Sequence, residues 1–206
     1  MSASLWTASD PLVLASGSTA RRLLLEAAGI PLVVDPADID ERVTEADVRA
    51  AGAGPRAVAL HLAEAKALAV SGSHHERLVL GGDQVLALGD TLFTKAPTLP
   101  AARAQLERLS GQTHSLHSAW AVARGGEIVA SGSVEARLTV RQLSSAFLDR
   151  YLAAEGAAVL SSVGAYRLEG LGVQLFERIE GDHSTILGLP LLDMLPALRR
   201  LGVLLG

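Results

Sequence analysis

Apolar positions fall into short blocks whose spacing alternates between strand-like and helix-like, with Gly, Ser and Pro between blocks. Residues 12–15 are a short apolar run that stops at Ser16-Gly17-Ser18-Thr19. Residues 21–29 then predict a helix, with Leu23, Leu24, Ala27 and Ala28 on one face and Gly29 as its stop. Residues 30–34 are β-branched enough for a second strand. Residues 44–51 and 55–70 predict helices, the second carrying Val58, Leu62, Ala65 and Ala69 at helical spacing. Residues 78–80 read as a buried strand running into Gly81-Gly82-Asp83. Residues 85–88 continue apolar to a Gly89-Asp90 hairpin turn. Residues 99–109 predict a helix after Thr98, with Gly111 beyond its end. Residues 114–123 and 127–140 alternate as two paired strands around Gly125-Gly126. Residues 144–154 read as a helix opened by a Ser cap. Residues 165–168, residues 174–179 and a final helix over 191–201 complete the pattern.

Helices and strands alternate, with one hairpin in the middle, which predicts an α/β fold with a mixed sheet. No internal repeat or linker-like charge run interrupts the pattern. At about 100–200 residues per domain, the 206 residues predict one domain with two lobes around a cleft. Residues 1–10 would form a short N-terminal extension.

Composition narrows the chemistry. Hydrophobic residues at 49% exclude intrinsic disorder. Aromatic residues at 3% argue against stacking platforms for single-stranded nucleic acid. A formal charge of −4 with no basic stripe lacks the footprint of a duplex binder. The absence of cysteine excludes disulfides, thiolate metal sites and a Cys nucleophile. No apolar stretch approaches the roughly 20 residues that span a bilayer, and no signal peptide opens the chain, so a soluble cytoplasmic protein is expected.

Four groups of residues can carry chemistry. In Ser16-Gly17-Ser18-Thr19-Ala20-Arg21-Arg22, a strand end meets small hydroxyl residues and a helix start, which suits an anion. Arg21 adds a planar fork for phosphate, although a Ser cap with solvated arginines reads the same. The acids Asp40-Glu41, Asp83 and Asp182 form a second group, since hard cations take carboxylate oxygens. Each acid alone also reads as a loop or turn residue. Asp83, after an apolar strand and two glycines, reads as a carboxylate at a strand's C-terminal end. Lys66 and Lys95 offer point charges for phosphate, or are ordinary surface lysines. Residues 161–170 place Tyr166 and Glu169 between glycines, as a directed carboxylate or a plain turn cluster. The histidines show no metal spacing, and Gly-x-Ser-x-Gly is absent.

In order along the chain, these residues resemble the Maf family of nucleoside triphosphate pyrophosphatases, the septum formation inhibitor proteins. The resemblance is carried by Leu14-Ala15-Ser16-Gly17-Ser18 with Arg21-Arg22, by Asp40-Glu41, by Leu62-Ala63 with Lys66-Ala67, and by Gly82-Asp83-Gln84-Val85. Lys95, Leu109-Ser110-Gly111 with His114, Gly164-Ala165-Tyr166, Glu169-Gly170, Glu180-Gly181-Asp182 and Gly188-Leu189-Pro190-Leu191 follow. The resemblance implies an elongated α/β fold similar to inosine triphosphate pyrophosphatases, with a cleft between two lobes. It implies cleavage of a nucleoside triphosphate between its α and β phosphates, giving the monophosphate and diphosphate. It implies a divalent cation, Mg²⁺ or Mn²⁺, held by Glu41 and Asp83, with Asp83 as general base. Arg21, Lys66 and Lys95 would hold the triphosphate, with Ser16 and Ser18 in its loop. A homodimer is expected on the same ground.

The dTTP and UTP branch shows Arg, Thr, Lys and Gln where this chain has Ala20, Gln84, Ser162 and Glu169. Gln84, Glu169 and the run around 169–178 resemble instead the branch acting on 7-methyl-GTP. Ala20, Gln84 and Glu169 are therefore the expected specificity positions, with Gln84 and Glu169 touching substrate. A carboxylate at Glu169 would accept the N1–H and amino donors of a guanine edge. Two other functions fit the same residues: a non-catalytic nucleotide sensor or division regulator, and a broad house-cleaning enzyme for damaged triphosphates such as ITP.

Overall fold

One long central strand organises the sheet. The computed structural model describes residues 5–206. Among these, β3 (Val79–Leu88) runs antiparallel to β5 (Thr113–Arg124), which pairs with β6 (Glu127–Val140) and through it with β7 (Phe176–Glu180). On its other edge β3 runs parallel to β1 (Leu12–Leu14), which pairs in parallel with β2 (Leu32–Val34). The short β4 (Thr91–Phe93) returns along β3 as a hairpin, giving a seven-stranded mixed sheet. The expected α/β class with a mixed sheet is the observed one. Both expected hairpins form, at Gly89 with φ +58° and at Gly125-Gly126 with φ +60° and +82°. Positive φ at tight turns is where glycine costs least.

Seven helices flank the strands among the described residues: α1 (Thr19–Ala27), α2 (Glu41–Ala50), α3 (Pro55–Ser71), α4 (Leu99–Leu109), α5 (Ser145–Glu155), α6 (His183–Ile186) and α7 (Leu191–Arg200). Thr98 and Ser144 cap α4 and α5 by accepting Ala101 and Phe147 N–H groups, as their sequences predict. Helix α2 starts earlier than the apolar spacing predicts, because the Asp40 carboxylate caps it by accepting the Arg42 and Val43 N–H groups. That cap moves Glu41 from a loop into the first helical turn.

The alternation of side chains along β3 divides the molecule. Gly81, Asp83 and Val85 face α3, whose Val58, Ala59, Leu62, Ala63 and Ala67 pack on Ala119, Ala121 and Ala123 of β5. Ala69, expected on the buried stripe, is exposed, and Lys66 takes a buried place instead. The other face carries two separate apolar clusters. Leu80, Trp120 and Val122 pack with α1 and α7, while Leu86, Leu116 and Leu138 pack with α4 and α5. Between them lies a polar waist, Gln84 opposite Ser118.

Two sequence expectations fail here. Gly81 and Gly82 predict a turn that ends a strand, yet β3 runs through them unbroken. A Cβ at Gly81 would overlap the Ala63 carbonyl and lie 2.7 Å from the Ala67 nitrogen, so glycine permits close helix–strand packing rather than a turn. Periodicity puts Leu23 and Ala27 on the inner face of α1, but Leu23 is 52% exposed and Ala27 is exposed too. Arg21 and Leu25 are the buried residues of that helix.

The amino-terminal segment is docked from Leu5 onward; residues 1–4 of the expected extension lie outside the described residues. Thr7 N–H donates to the Val203 carbonyl at 3.0 Å, and Leu205 N–H to Leu5 at 2.8 Å. No helix among the described residues is long and apolar enough to cross a membrane.

Candidate active site

Strand β1 hydrogen-bonds along β3 only as far as Leu80, and β4 begins pairing at Leu86. Between them, residues 81–85 of β3 are paired on the β5 side alone. This gap opens at the C-terminal end of the parallel strand β1, where α/β sheets place ligands. Asp83 therefore projects from the middle of a strand held by β5, and not from the strand end and glycine-rich turn its sequence predicts. Such a mount fixes the direction of its carboxylate.

The Lys66 ammonium reaches Asp83 at 2.7 Å and Glu41 at 2.9 Å. Lys66 and Asp83 are 8% and 7% exposed, so each compensates the other's buried charge. Glu41 comes from the first turn of α2 and stays half exposed. Three elements, α2, α3 and β3, thus bring two carboxylates onto one ammonium.

Arg21 lies along Gly82, where a Cβ would stand 3.1 Å from its Cδ and Nε. Its Nε donates to the Gly188 carbonyl at 2.8 Å and its Nη1 to Ser16 Oγ at 2.9 Å. Burial opposes the guanidinium charge and lowers its pKa, while the charges of Asp83 and Glu41 favour it. An arginine stays protonated under such conditions, so a fixed cation stands beside the two acids with donors left over. Ser18 caps α1 by accepting the Arg21 N–H, and its own N–H reaches Ser16 Oγ at 3.4 Å. Ala20 is in the first turn of α1, half buried.

Other expected site residues stand apart. Lys95 follows β4 by two residues, is exposed, and makes no ion pair or hydrogen bond among the described residues. Glu169 is exposed and, among the described residues, pairs only with Arg167, at 3.3 Å. Gln84 lies next to Asp83 but points to the opposite face. Its Nε2 donates to Ser118 Oγ, Thr185 O and Ile186 O at 2.8, 3.2 and 2.9 Å. Those three acceptors already exceed the two protons of the amide nitrogen. Ser162 accepts the Tyr166 N–H at 3.1 Å and donates to the Tyr166 carbonyl at 2.6 Å. It closes the turn at Ala165, whose φ is +55°.

Asp182 does not join the acidic group that its sequence suggests. It caps α6, accepting Ser184 Oγ at 2.5 Å, Thr185 N–H at 2.9 Å and the Thr185 hydroxyl. Burial alone would raise its pKa, but these hydrogen bonds outweigh it and hold the carboxyl below its ordinary range. The residues that periodicity does not reveal are Ser118 and the backbone carbonyls of Thr185, Ile186 and Gly188. Their one signal is the Gly188-Leu189-Pro190 motif itself.

His114 is buried, with Nε2 2.7 Å from the Tyr166 hydroxyl, and burial pushes its pKa down to about 4. It packs beside Tyr166 and Phe176 and keeps the 162–170 segment against the sheet. A surface cavity of about 390 Å³ lies between β6, α7 and Arg56, and none of the site residues lines it.

The divalent cation implied by the resemblance can be tested against this donor set. Mg²⁺ and Mn²⁺ take oxygen ligands, commonly one or two carboxylates joined by substrate phosphates. Glu41 and Asp83 converge on one ammonium-sized volume. No group of three His, Cys, Asp or Glu residues gathers anywhere among the described residues. The two carboxylates therefore fit such a cation only together with phosphate oxygens.

Comparison with known proteins gives a consistent result. The family model described as Maf-like protein matches residues 11–201. A nucleoside triphosphate pyrophosphatase of Bradyrhizobium diazoefficiens is 53% identical over 195 residues, covering 95% of this chain and 96% of that relative. A 7-methyl-GTP pyrophosphatase of Rhizobium johnstonii is 50% identical over 195 residues, covering 95% and 98%. Another, from Mesorhizobium japonicum, is 48% identical over 197 residues, covering 96% and 99%.

Proposed function

This chain belongs to the Maf-like protein family, and on that premise we propose that it hydrolyses a nucleoside triphosphate to the monophosphate and diphosphate. The observation that carries the reading is the Glu41–Lys66–Asp83 group beside the buried Arg21, set in the open gap of β3. Arg21 and Lys66 supply fixed positive charge where a triphosphate brings negative charge, and exposed Lys95 adds a third cation. Ser16 and Ser18, at the start of α1, complete the phosphate loop. Asp83 accepts the proton of the attacking water, a role of typically 100- to 10,000-fold in rate, as an order of magnitude. Glu41 and Asp83 would hold Mg²⁺ or Mn²⁺ together with phosphate oxygens. When bound, that cation neutralises charge on the departing diphosphate. Arg21 and Lys66 act in the same direction, since preorganised charge favours the transition state.

We propose that the base read is of the guanine type, in 7-methyl-GTP or another modified nucleotide. Support comes from the free carboxylate oxygen of Glu169 and from the names of two relatives. A single domain, a cytoplasmic location and a homodimer belong to the same proposal and rest on the family likeness and the composition.

The test is product analysis with Mg²⁺ or Mn²⁺ on GTP, 7-methyl-GTP, ITP, dTTP and UTP. Equimolar monophosphate and diphosphate support the reading. Nucleoside diphosphate with orthophosphate contradicts it. Equal rates on every base would favour the broad house-cleaning reading over the guanine-type one.

A further inference from the structure

The short turn between β7 and α7 touches the site through backbone atoms alone, and its Asp182, Ser184 and Thr185 side chains form one hydrogen-bonded network. Asp182 accepts the Ser184 hydroxyl, the Thr185 N–H and the Thr185 hydroxyl. Ser184 Oγ also accepts the Leu191 N–H at 3.1 Å, fastening the turn to α7. Thr185 is fully buried, and its carbonyl receives Ser118 Oγ at 2.7 Å and Gln84 Nε2 at 3.2 Å. Gly188 N–H donates to that same carbonyl at 3.0 Å. Gly188 has φ +94°, a conformation that side chains resist, and this turns its carbonyl onto Arg21 Nε at 2.8 Å. A Cβ at Gly188 would lie 3.4 Å from Arg21 Nη2 and 3.7 Å from Gln84 Cδ, so this residue sits between the two side chains.

We propose that Asp182 and Gln84 are positioning residues that act through the Gly188 carbonyl to aim the Arg21 guanidinium at the triphosphate. The inference rests on the phosphate role given to Arg21 above. It also reassigns Gln84, whose amide protons are committed to the turn and the sheet and are not free to read a base. Nε and Nη1 of Arg21 are held by Gly188 and Ser16, so the remaining N–H donors have a fixed direction. Without the turn, Ser16 alone would hold the guanidinium, and the long side chain would regain rotamer freedom. An arginine that grips the triphosphate in ground and transition states alike affects KM more than kcat.

The experiment combines kinetics with a direct view of Arg21. In Asp182→Ala and Gln84→Ala, KM for the best nucleotide should rise by about tenfold while kcat changes less than about threefold. Asp182→Asn, which still accepts the Thr185 N–H, should recover part of the loss. In an Arg21→Ala background the Asp182→Ala substitution should add almost nothing, because both act through one guanidinium. Equal losses in both backgrounds would overturn the proposal and leave Asp182 a general stabiliser. Independently of turnover, the Nε–H resonance of Arg21 should be protected from solvent exchange in the wild-type chain. It should exchange at least about tenfold faster in both alanine variants, as expected for loss of a hydrogen bond worth about 1.4 kcal/mol. Unchanged protection would overturn the proposal even where KM rises. If the wild-type chain hydrolyses nothing but the resonance behaves as stated, the pyrophosphatase reading fails and the positioning stands. Should Asp182→Ala fail to fold, Gln84→Ala carries the same two readouts.

Discussion

Lys66 is the residue on which the site's charges balance, since its ammonium serves Asp83 and Glu41 together. Removing it as Lys66→Ala leaves buried Asp83 without its ion-pair partner, with only the neighbouring charge of Arg21. Breaking a buried pair costs about 3–5 kcal/mol, so urea unfolding should show a loss near that range. Asp83→Asn should cost clearly less, because Lys66 keeps Glu41. An equal loss for both variants would mean that the pair is not buried in solution. At Glu169 the expectation concerns selectivity. Its carboxylate faces solvent apart from Arg167, so Glu169→Gln should leave stability within about 0.5 kcal/mol. The ratio of 7-methyl-GTP to UTP turnover should shift by about tenfold or more, because a guanine edge would lose the charged acceptor for its N1–H and amino donors. An unchanged ratio would place base reading elsewhere.

Among the elements, the contact of α3 with β3 sets the site's geometry. Gly81→Ala would push a methyl into the Ala63 carbonyl and the Ala67 nitrogen, both backbone atoms that cannot swing aside. A stability loss of about 3 kcal/mol or more is expected from such overpacking, with activity falling as Lys66 moves from Asp83. Calorimetry showing an unchanged melting temperature would contradict that packing. The same contact explains what is legible in the sequence and what is not. Helices such as α4 and the β5–β6 hairpin are legible because capping residues, apolar spacing and turn glycines agree. The path of β3 is not, because two adjacent glycines signal a turn equally well as a close approach. Periodicity misleads about the inner face of α1 because Arg21, not Leu23, is buried there, held by the Gly188 carbonyl and Ser16. The site residues are recognised by order and type, through resemblance, and not by periodicity. Gly188 and Ser118 escape for a physical reason: a backbone carbonyl leaves no mark on its residue type, and a buried Ser resembles any strand Ser.

Across the whole molecule, the waist between two apolar clusters makes folding and function share residues. Gln84 and Ser118 hold the 182–188 turn there, and the gap of β3 opens beside them. Stability should also depend on pH through a group outside the site. His114 is held neutral down to about pH 4 by burial, whereas an unfolded chain protonates it near its ordinary 6.5. The unfolded state therefore binds the extra proton first, and stability falls as pH drops from about 6.5 to about 4. A tenfold change in proton affinity is worth about 1.4 kcal/mol, so the full loss from this residue is about 3 kcal/mol. His117, lowered mainly by burial, adds in the same direction. His114→Gln should flatten that limb of the pH–stability curve, and an unaltered slope would remove His114 as its cause. In the proposed function Asp83 is the group that activates water for triphosphate hydrolysis, within a preformed cluster of charges. The decisive experiment is steady-state diphosphate release by wild type and Asp83→Asn at saturating nucleotide, with nucleotide binding followed in parallel. A fall in kcat of at least about 100-fold is expected, with binding retained within a few-fold. An Asp83→Asn variant that binds and turns over like the wild type would refute that role.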